Sequence, residues 1–245
     1  MLPPPIVLSF SGHDPTGGAG VQADHEAISA MGCHALSVLT CLTVQDTHNV
    51  YSVKPLDSSY ILQQADRLLA DIKVDAFKIG LLGSCEIVMA LVSLLKQYPQ
   101  IPVVLDPVLA AGGGGALAQS DLIVCMQKYL LPIVSLVTPN VPEADLLAIF
   151  EGEYQNILLT GTHNEATADV INTLYNQKGE IISTLSWPRL AAVYHGSGCT
   201  IAAAIAAGLA KNLPLVEAVE IAQEYTWNSL LRARKIGNGQ LIPLR

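Results

Sequence analysis

No uncharged apolar run in this sequence reaches the ~18 residues that a helix needs to cross a bilayer, so no membrane span is expected. The opening residues, Met1-Leu-Pro-Pro-Pro5, lack a basic segment followed by an apolar one, so no secretory signal is expected either. Basic residues are scarce. Thirteen lysines and arginines stand against 21 acids, the net charge is −8, and no basic cluster occurs, which argues against a nucleic-acid partner. The cysteines, at 33, 41, 85, 125 and 199, are odd in number and never fall in a CxxC spacing. That pattern suits a reducing cytoplasm and argues against a zinc site or a disulfide framework. No lysine follows a glycine loop in the Walker manner, which excludes a P-loop enzyme.

What is present reads as an α/β chain. Its 245 residues suffice for one large domain, 1–245, and with only 14% charged residues much of its sheet should be covered on both faces. Short β-branched runs at 6–11, 35–44, 75–79, 103–105, 134–137 and 156–159 predict buried strands, and 50–54 predicts an edge strand. Helical patterns cover 21–31, 58–72, 86–97, 122–131, 143–150, 198–210 and 214–233. The stretches 169–175 and 180–185 flank Asn176-Gln-Lys-Gly179 and predict a hairpin. Strands alternating with helices imply parallel βαβ units. The low-complexity patch Gly112–Gly115 predicts a mobile loop between strand and helix.

The unusual polar residues gather where strands end, which is where open parallel sheets bind ligands. His195-Gly-Ser-Gly-Cys-Thr200 gives way abruptly to an alanine-rich helical run. The first N–H groups of such a helix are unpaired and sit at the positive end of its dipole, so they can receive phosphate. Cys199 in that turn is expected to lean toward thiolate, or to act as a polar group near the reacting atoms. Asp106 and Glu143 are acidic and suited to holding magnesium, directly or through water. Asn140 is suited to orienting a phosphate or a metal-bound water. Gln45 offers a donor and an acceptor to a heteroaromatic edge, and Val44, Leu81 and Val108 are expected to wall a flat apolar pocket. Asp24 is suited to accepting from an amine or hydroxyl. Phosphate, metal and ring sites together describe a small-molecule kinase. Gly18-Ala-Gly-Val-Gln-Ala23 fits a loose dinucleotide pattern, but its glycines lie far past the strand and the second strand ends in Gln45 rather than an acid.

Six segments carry a resemblance to a known family: 11–24 (SGHDPTGGAGVQAD), 43–47 (TVQDT), 78–81 (KIGL), 105–108 (LDPV), 138–144 (TPNVPEA) and 195–200 (HGSGCT). In this order they resemble the hydroxymethylpyrimidine/phosphomethylpyrimidine kinase branch of the ribokinase-like superfamily. The resemblance implies a three-layer α/β/α sandwich with a mostly parallel central sheet. It implies ATP-dependent phosphorylation of 4-amino-5-hydroxymethyl-2-methylpyrimidine, its monophosphate, or both, in thiamine biosynthesis. Cys199 stands where most ribokinase-like enzymes carry an aspartate base, so it is implied to help remove the acceptor proton, with Gly196 and Gly198 shaping the catalytic turn. Gly12, Asp24, Val44, Gln45, Leu81 and Val108 are implied to surround the pyrimidine. Asp106, Asn140, Glu143, Thr162 and Ser197 are implied to face ATP, with Mg2+ at Asp106 and Glu143. A cytoplasmic homodimer is implied as well.

The chain departs from the family pattern in two places. The segment between Glu143 and Asn156 is too short for the helix usually found there, and Thr160 stands where a lysine would add positive charge near the nucleotide phosphates. Two neighbouring readings share most of these residues. One is a pyridoxal kinase of the same branch, and the other is a pyrimidine-binding regulatory protein descended from the kinase.

Overall fold

The computed structural model describes residues 3–109, 120–152, 156–161 and 168–245. Strands β1 (Ile6–His13), β2 (His34–Gln45), β3 (Val50–Pro55), β4 (Ala76–Ile79), β5 (Val103–Leu105), β6 (Leu136–Val137), β7 (Ile157–Leu159), β8 (Asp169–Tyr175) and β9 (Ile181–Pro188) form a sheet of order β3-β2-β1-β4-β5-β6-β7-β8-β9. Pairing is parallel from β2 through β7 and antiparallel at both margins, where β3 joins β2 and β8 and β9 follow β7. The expected edge strand and hairpin are therefore both present. All six parallel strands end on one edge of the sheet.

Successive side chains of a strand point to opposite faces, and here both faces are apolar. Leu8, Phe77, Leu105 and Val137 pack under helices α2 (Ser58–Asp71), α3 (Cys85–Leu95) and α4 (Ser120–Cys125). Their neighbours Val7, Ala76, Val104 and Leu136 pack against α1 (Gly20–Ala30), α6 (Ser197–Ala210) and α7 (Leu215–Leu231). The result is three layers, as the resemblance implied. Helix α6 is apolar all round because it is sandwiched between the sheet and α7, and its alanines permit that approach. At Gly208 even one added carbon would come within 2.8 Å of the Ala218 Cβ.

Some expectations need correction. The predicted helix 122–131 is α-helical only to Cys125, then widens to a π-turn over Met126–Leu130 and tightens to 3-10 geometry at Leu131–Ile133, with Pro132 in that last turn. The predicted helix 143–150 is α5 (Val141–Leu146), set earlier by its cap at Asn140. The expected absence of disulfides is overturned at one pair. Cys85 and Cys125 are joined, with Cα atoms 5.7 Å apart, because the start of α3 and the end of α4 meet on the same face. A separation of 40 residues carries no spacing signal. Cys33, Cys41 and Cys199 are free and buried. Gly112–Gly115 lies outside the described residues.

Candidate active site

Two glycine turns meet at the carboxyl edge. The turn after β1 is shaped by Asp14, whose carboxylate accepts from the amides of Thr16 and Ala19, each at 2.8 Å, and from the Thr16 hydroxyl at 3.0 Å. Gly20 opens α1 at φ +60° with its α-carbon against the Gly12 carbonyl, and Gly196 opens α6 at φ +75° against the Gly18 carbonyl. A Cβ at either position would collide with that oxygen, so both need glycine on two counts. His195 Nε2 lies 2.9 Å from Asp14 Oδ2 and closes the two turns on each other. Burial alone would raise the Asp14 carboxyl, but His195 and the Thr16 bonds hold it below the usual range. Arg245 adds a second tie: it donates to the Gly18 carbonyl at 2.5 Å and to the Thr200 hydroxyl at 2.7 Å, and pairs with Glu26 at 3.1 Å.

No side chain caps the start of α6, so the amides of its first turn face outward from the Gly196–Gly198 bend. Cys199 is buried in that turn. The expected thiolate character is corrected here. Burial pushes the Cys199 thiol up to about 12 against the pull of Lys78, and the charges of Asp106 and Asp24 act in the same direction as burial. The other expectation, a polar neighbour of the reacting atoms, does not require an ionised sulfur.

Asp106 follows β5 and lies directly beneath the bend, 3.5 Å from where a Cβ on Gly198 would stand. It is buried, and its Oδ2 has no hydrogen-bond partner among the described residues. Burial pushes its carboxyl up, against the pull of Lys78. Glu143 sits across from it. Its side chain accepts from the Asn140 amide at 3.0 Å while Asn140 Oδ1 accepts from the Glu143 amide at 2.9 Å, so the two form a capping box on α5. Burial pushes Glu143 up to about 8, and the neighbouring charge of Asp106 adds to this. Two buried acids that oppose each other's ionisation favour a cation between them. Asp106, with an orphaned oxygen, fits a metal directly. Glu143 has both oxygens on backbone amides and fits better through water. Among the described residues no cluster of three or more His, Cys, Asp or Glu could hold a metal by itself. Magnesium does not require one, since it takes one or two carboxylates and completes its shell with water and phosphate.

The ring-pocket residues divide. Gly12 and Leu81 are neighbours: a Cβ on Gly12 would come within 3.3 Å of Leu81 Cδ2 and 2.8 Å of Cys41 Sγ. Val44, 62% exposed, and Gln45 lie beyond Leu42, the register partner of His13, at the same sheet edge. Val108 is half-buried, with its amide on the Asp106 carbonyl at 2.9 Å. Asp24 does accept from an amine and a hydroxyl, but both belong to the chain. Lys78 Nζ lies 2.8 Å from its Oδ1, and the Ser9 hydroxyl donates at 2.6 Å. Ser197 opens α6, and Thr160 pairs with Asn140 through its amide on the Pro139 carbonyl at 2.9 Å. Thr162 lies outside the described residues. Sequence reading missed Lys78, Asp14 and Arg245 as parts of this site. For Lys78 the signal was available: a lysine inside the apolar strand Ala76-Phe-Lys-Ile79.

Phosphoryl transfer asks a protein chiefly to place its reactants and to receive negative charge. The α6 start and the acids below it meet that demand on this sheet order, which defines a ribokinase-like kinase. The family model described as phosphomethylpyrimidine kinase matches residues 14–243. The hydroxymethylpyrimidine/phosphomethylpyrimidine kinase of Rhizobium meliloti is 35% identical over 258 residues, covering 96% of this chain and 94% of that protein. The thiamine biosynthesis bifunctional protein ThiED of Geobacter sulfurreducens is 36% identical over 250 residues, covering 95% of this chain, which spans 50% of that longer protein. An ADP complex of Bacillus subtilis pyridoxal kinase has a similar structure, with a TM-score of 0.89 at 25% identity, covering 98% of this chain and 97% of that one. The chain belongs to the phosphomethylpyrimidine kinase family.

Proposed function

We propose that this chain acts as one ATP-dependent kinase domain that phosphorylates 4-amino-5-hydroxymethyl-2-methylpyrimidine and its monophosphate. The observation that carries the reading is the meeting of the uncapped α6 start with the buried Asp106 carboxylate, whose Oδ2 has no hydrogen-bond partner among the described residues, in a chain of this family. The first-turn amides of α6 receive the charge of the transferring phosphoryl group. Asp106, with Glu143 through water, would hold Mg2+, which when bound supplies charge neutralisation at the phosphates. Asn140 has its carbonyl oxygen committed to the cap and its NH2 left as a donor toward the nucleotide. Cys199 rests as a thiol and orients the acceptor oxygen, while Gly12 and Leu81 form the apolar floor beside it. A homodimer belongs to the same reading, supported by exposed apolar side chains on the edge hairpin such as Leu42 and Tyr51. A cytoplasmic place of action belongs to it too; among the described residues no helix is long and apolar enough to cross a membrane.

ADP release measured side by side with the hydroxymethylpyrimidine, its monophosphate and pyridoxal tests this. Release with the first two supports the proposal. The likeness to a pyridoxal kinase favours a second reading, which release with pyridoxal alone would establish. Calorimetric binding of the pyrimidine without ADP release at any magnesium concentration would establish a regulatory binder instead.

A further inference from the structure

Lys78 is the only buried lysine among the described residues, and it is wholly enclosed. Its Nζ lies 2.8 and 3.0 Å from the two oxygens of Asp24 and 3.4 Å from the Ser11 hydroxyl. The space is shaped for it: a Cβ on Gly80 would come within 2.7 Å of Nζ and would run into the Ser11 hydroxyl. Stability does not explain the residue. A buried ion pair is often no better than apolar side chains of similar volume, because desolvation offsets the attraction. Its position is more telling. Ala76 and Lys78 share the face of β4 on which α6 packs, and the Asp106 amide donates to the Ile79 carbonyl at 2.8 Å, so the ammonium stands next to the proposed point of transfer, where its charge reaches Cys199 and Asp106. Asp24 fixes the ammonium in place and acts on Cys199 and Asp106 in the opposite sense, but more weakly than Lys78 does.

Resting on the kinase reading above, we infer that Lys78 is a positioning residue of the reaction. Its ammonium, pinned by Asp24, is the fixed positive charge behind Cys199 and Asp106, and it favours negative charge developing on the acceptor oxygen beside Cys199. Such a preorganised charge in a water-poor site acts in the transition state without needing to touch substrate. Asp24 is thereby assigned to holding Lys78 rather than to the pyrimidine.

The double variant Lys78→Met/Asp24→Asn separates function from structure, because it removes the pair together and leaves neither charge buried alone. Melting temperature, kcat and both KM values are measured for it and for Lys78→Met. The inference predicts that Lys78→Met loses both stability and turnover. The double variant should regain most of the melting temperature while its kcat stays about tenfold or more below wild type, with both KM values within about threefold. Recovery of kcat together with stability would overturn the inference and leave the pair purely structural. Should the double variant not fold, the neutral polar pair Lys78→Gln/Asp24→Asn takes its place: kcat about tenfold or more below wild type in the folded protein supports the inference, and kcat within about threefold of wild type overturns it. An inactive wild type would defeat the kinase reading and this inference together, whereas the variant comparison on an active wild type defeats the inference alone.

Discussion

His195 Nε2 stands 2.9 Å from Asp14 Oδ2, and this single contact locks the turn that opens α1 to the turn that opens α6. The Asp14 carboxyl is held below its ordinary value by His195 and Thr16 despite its burial. A depressed acid stabilises the fold above its unfolded pKa, near 3.8, and that contribution fades as pH falls through the lower folded value. Asp14→Asn should therefore melt lower than wild type at neutral pH, with the gap closing as the pH drops below about 4. Thermal melts across that range check this, and a gap independent of pH would contradict it.

Cys199→Ala should lower kcat by roughly 10²-fold if the thiol orients the acceptor during proton transfer. Near-normal turnover would reduce Cys199 to packing. With its thiol pushed up to about 12, Cys199 should also resist alkylation in the folded enzyme at neutral pH, which mass spectrometry of iodoacetamide-treated protein would read.

Gln45→Ala should raise the KM for the pyrimidine more than the KM for ATP. Initial-rate kinetics with each substrate varied in turn provides the check. Equal effects on both would remove Gln45 from the ring pocket.

Thr160→Lys should tighten ATP binding, since it places positive charge beside the Asn140 cap where the chain now has a hydroxyl. Calorimetric titration with a non-hydrolysable ATP analogue measures it. An unchanged affinity would mean that another group already supplies that charge.

Much of this architecture could be read in advance because periodicity and turn chemistry are local. The buried runs that became β1, β4, β5 and β7 announced themselves by β-branched residues between turns, and Gly20 and Gly196 by the abrupt change from small residues to helix. What stayed hidden depended on partners distant in sequence. Asp24 was legible as an acceptor for an amine or hydroxyl, but the group that it holds in the fold was not. Its partner, Lys78, is 54 residues away and arrives only when β1 and β4 align. Cys199 looked reactive because a helix start favours thiolate, and only the packed structure shows that burial prevails. The Cys85–Cys125 bridge likewise required knowing that α3 and α4 share a face.

On the kinase reading, charge from a nucleotide is received where α6 begins, over Asp106. Asp106→Asn tests this, because burial pushes the acid up and its Oδ2 has no hydrogen-bond partner among the described residues, so it weakens the fold unless a cation comes to it. The variant should melt at or above the wild-type temperature while ADP release with the hydroxymethylpyrimidine falls by about 10²-fold or more. Turnover kept within about twofold of wild type would contradict it.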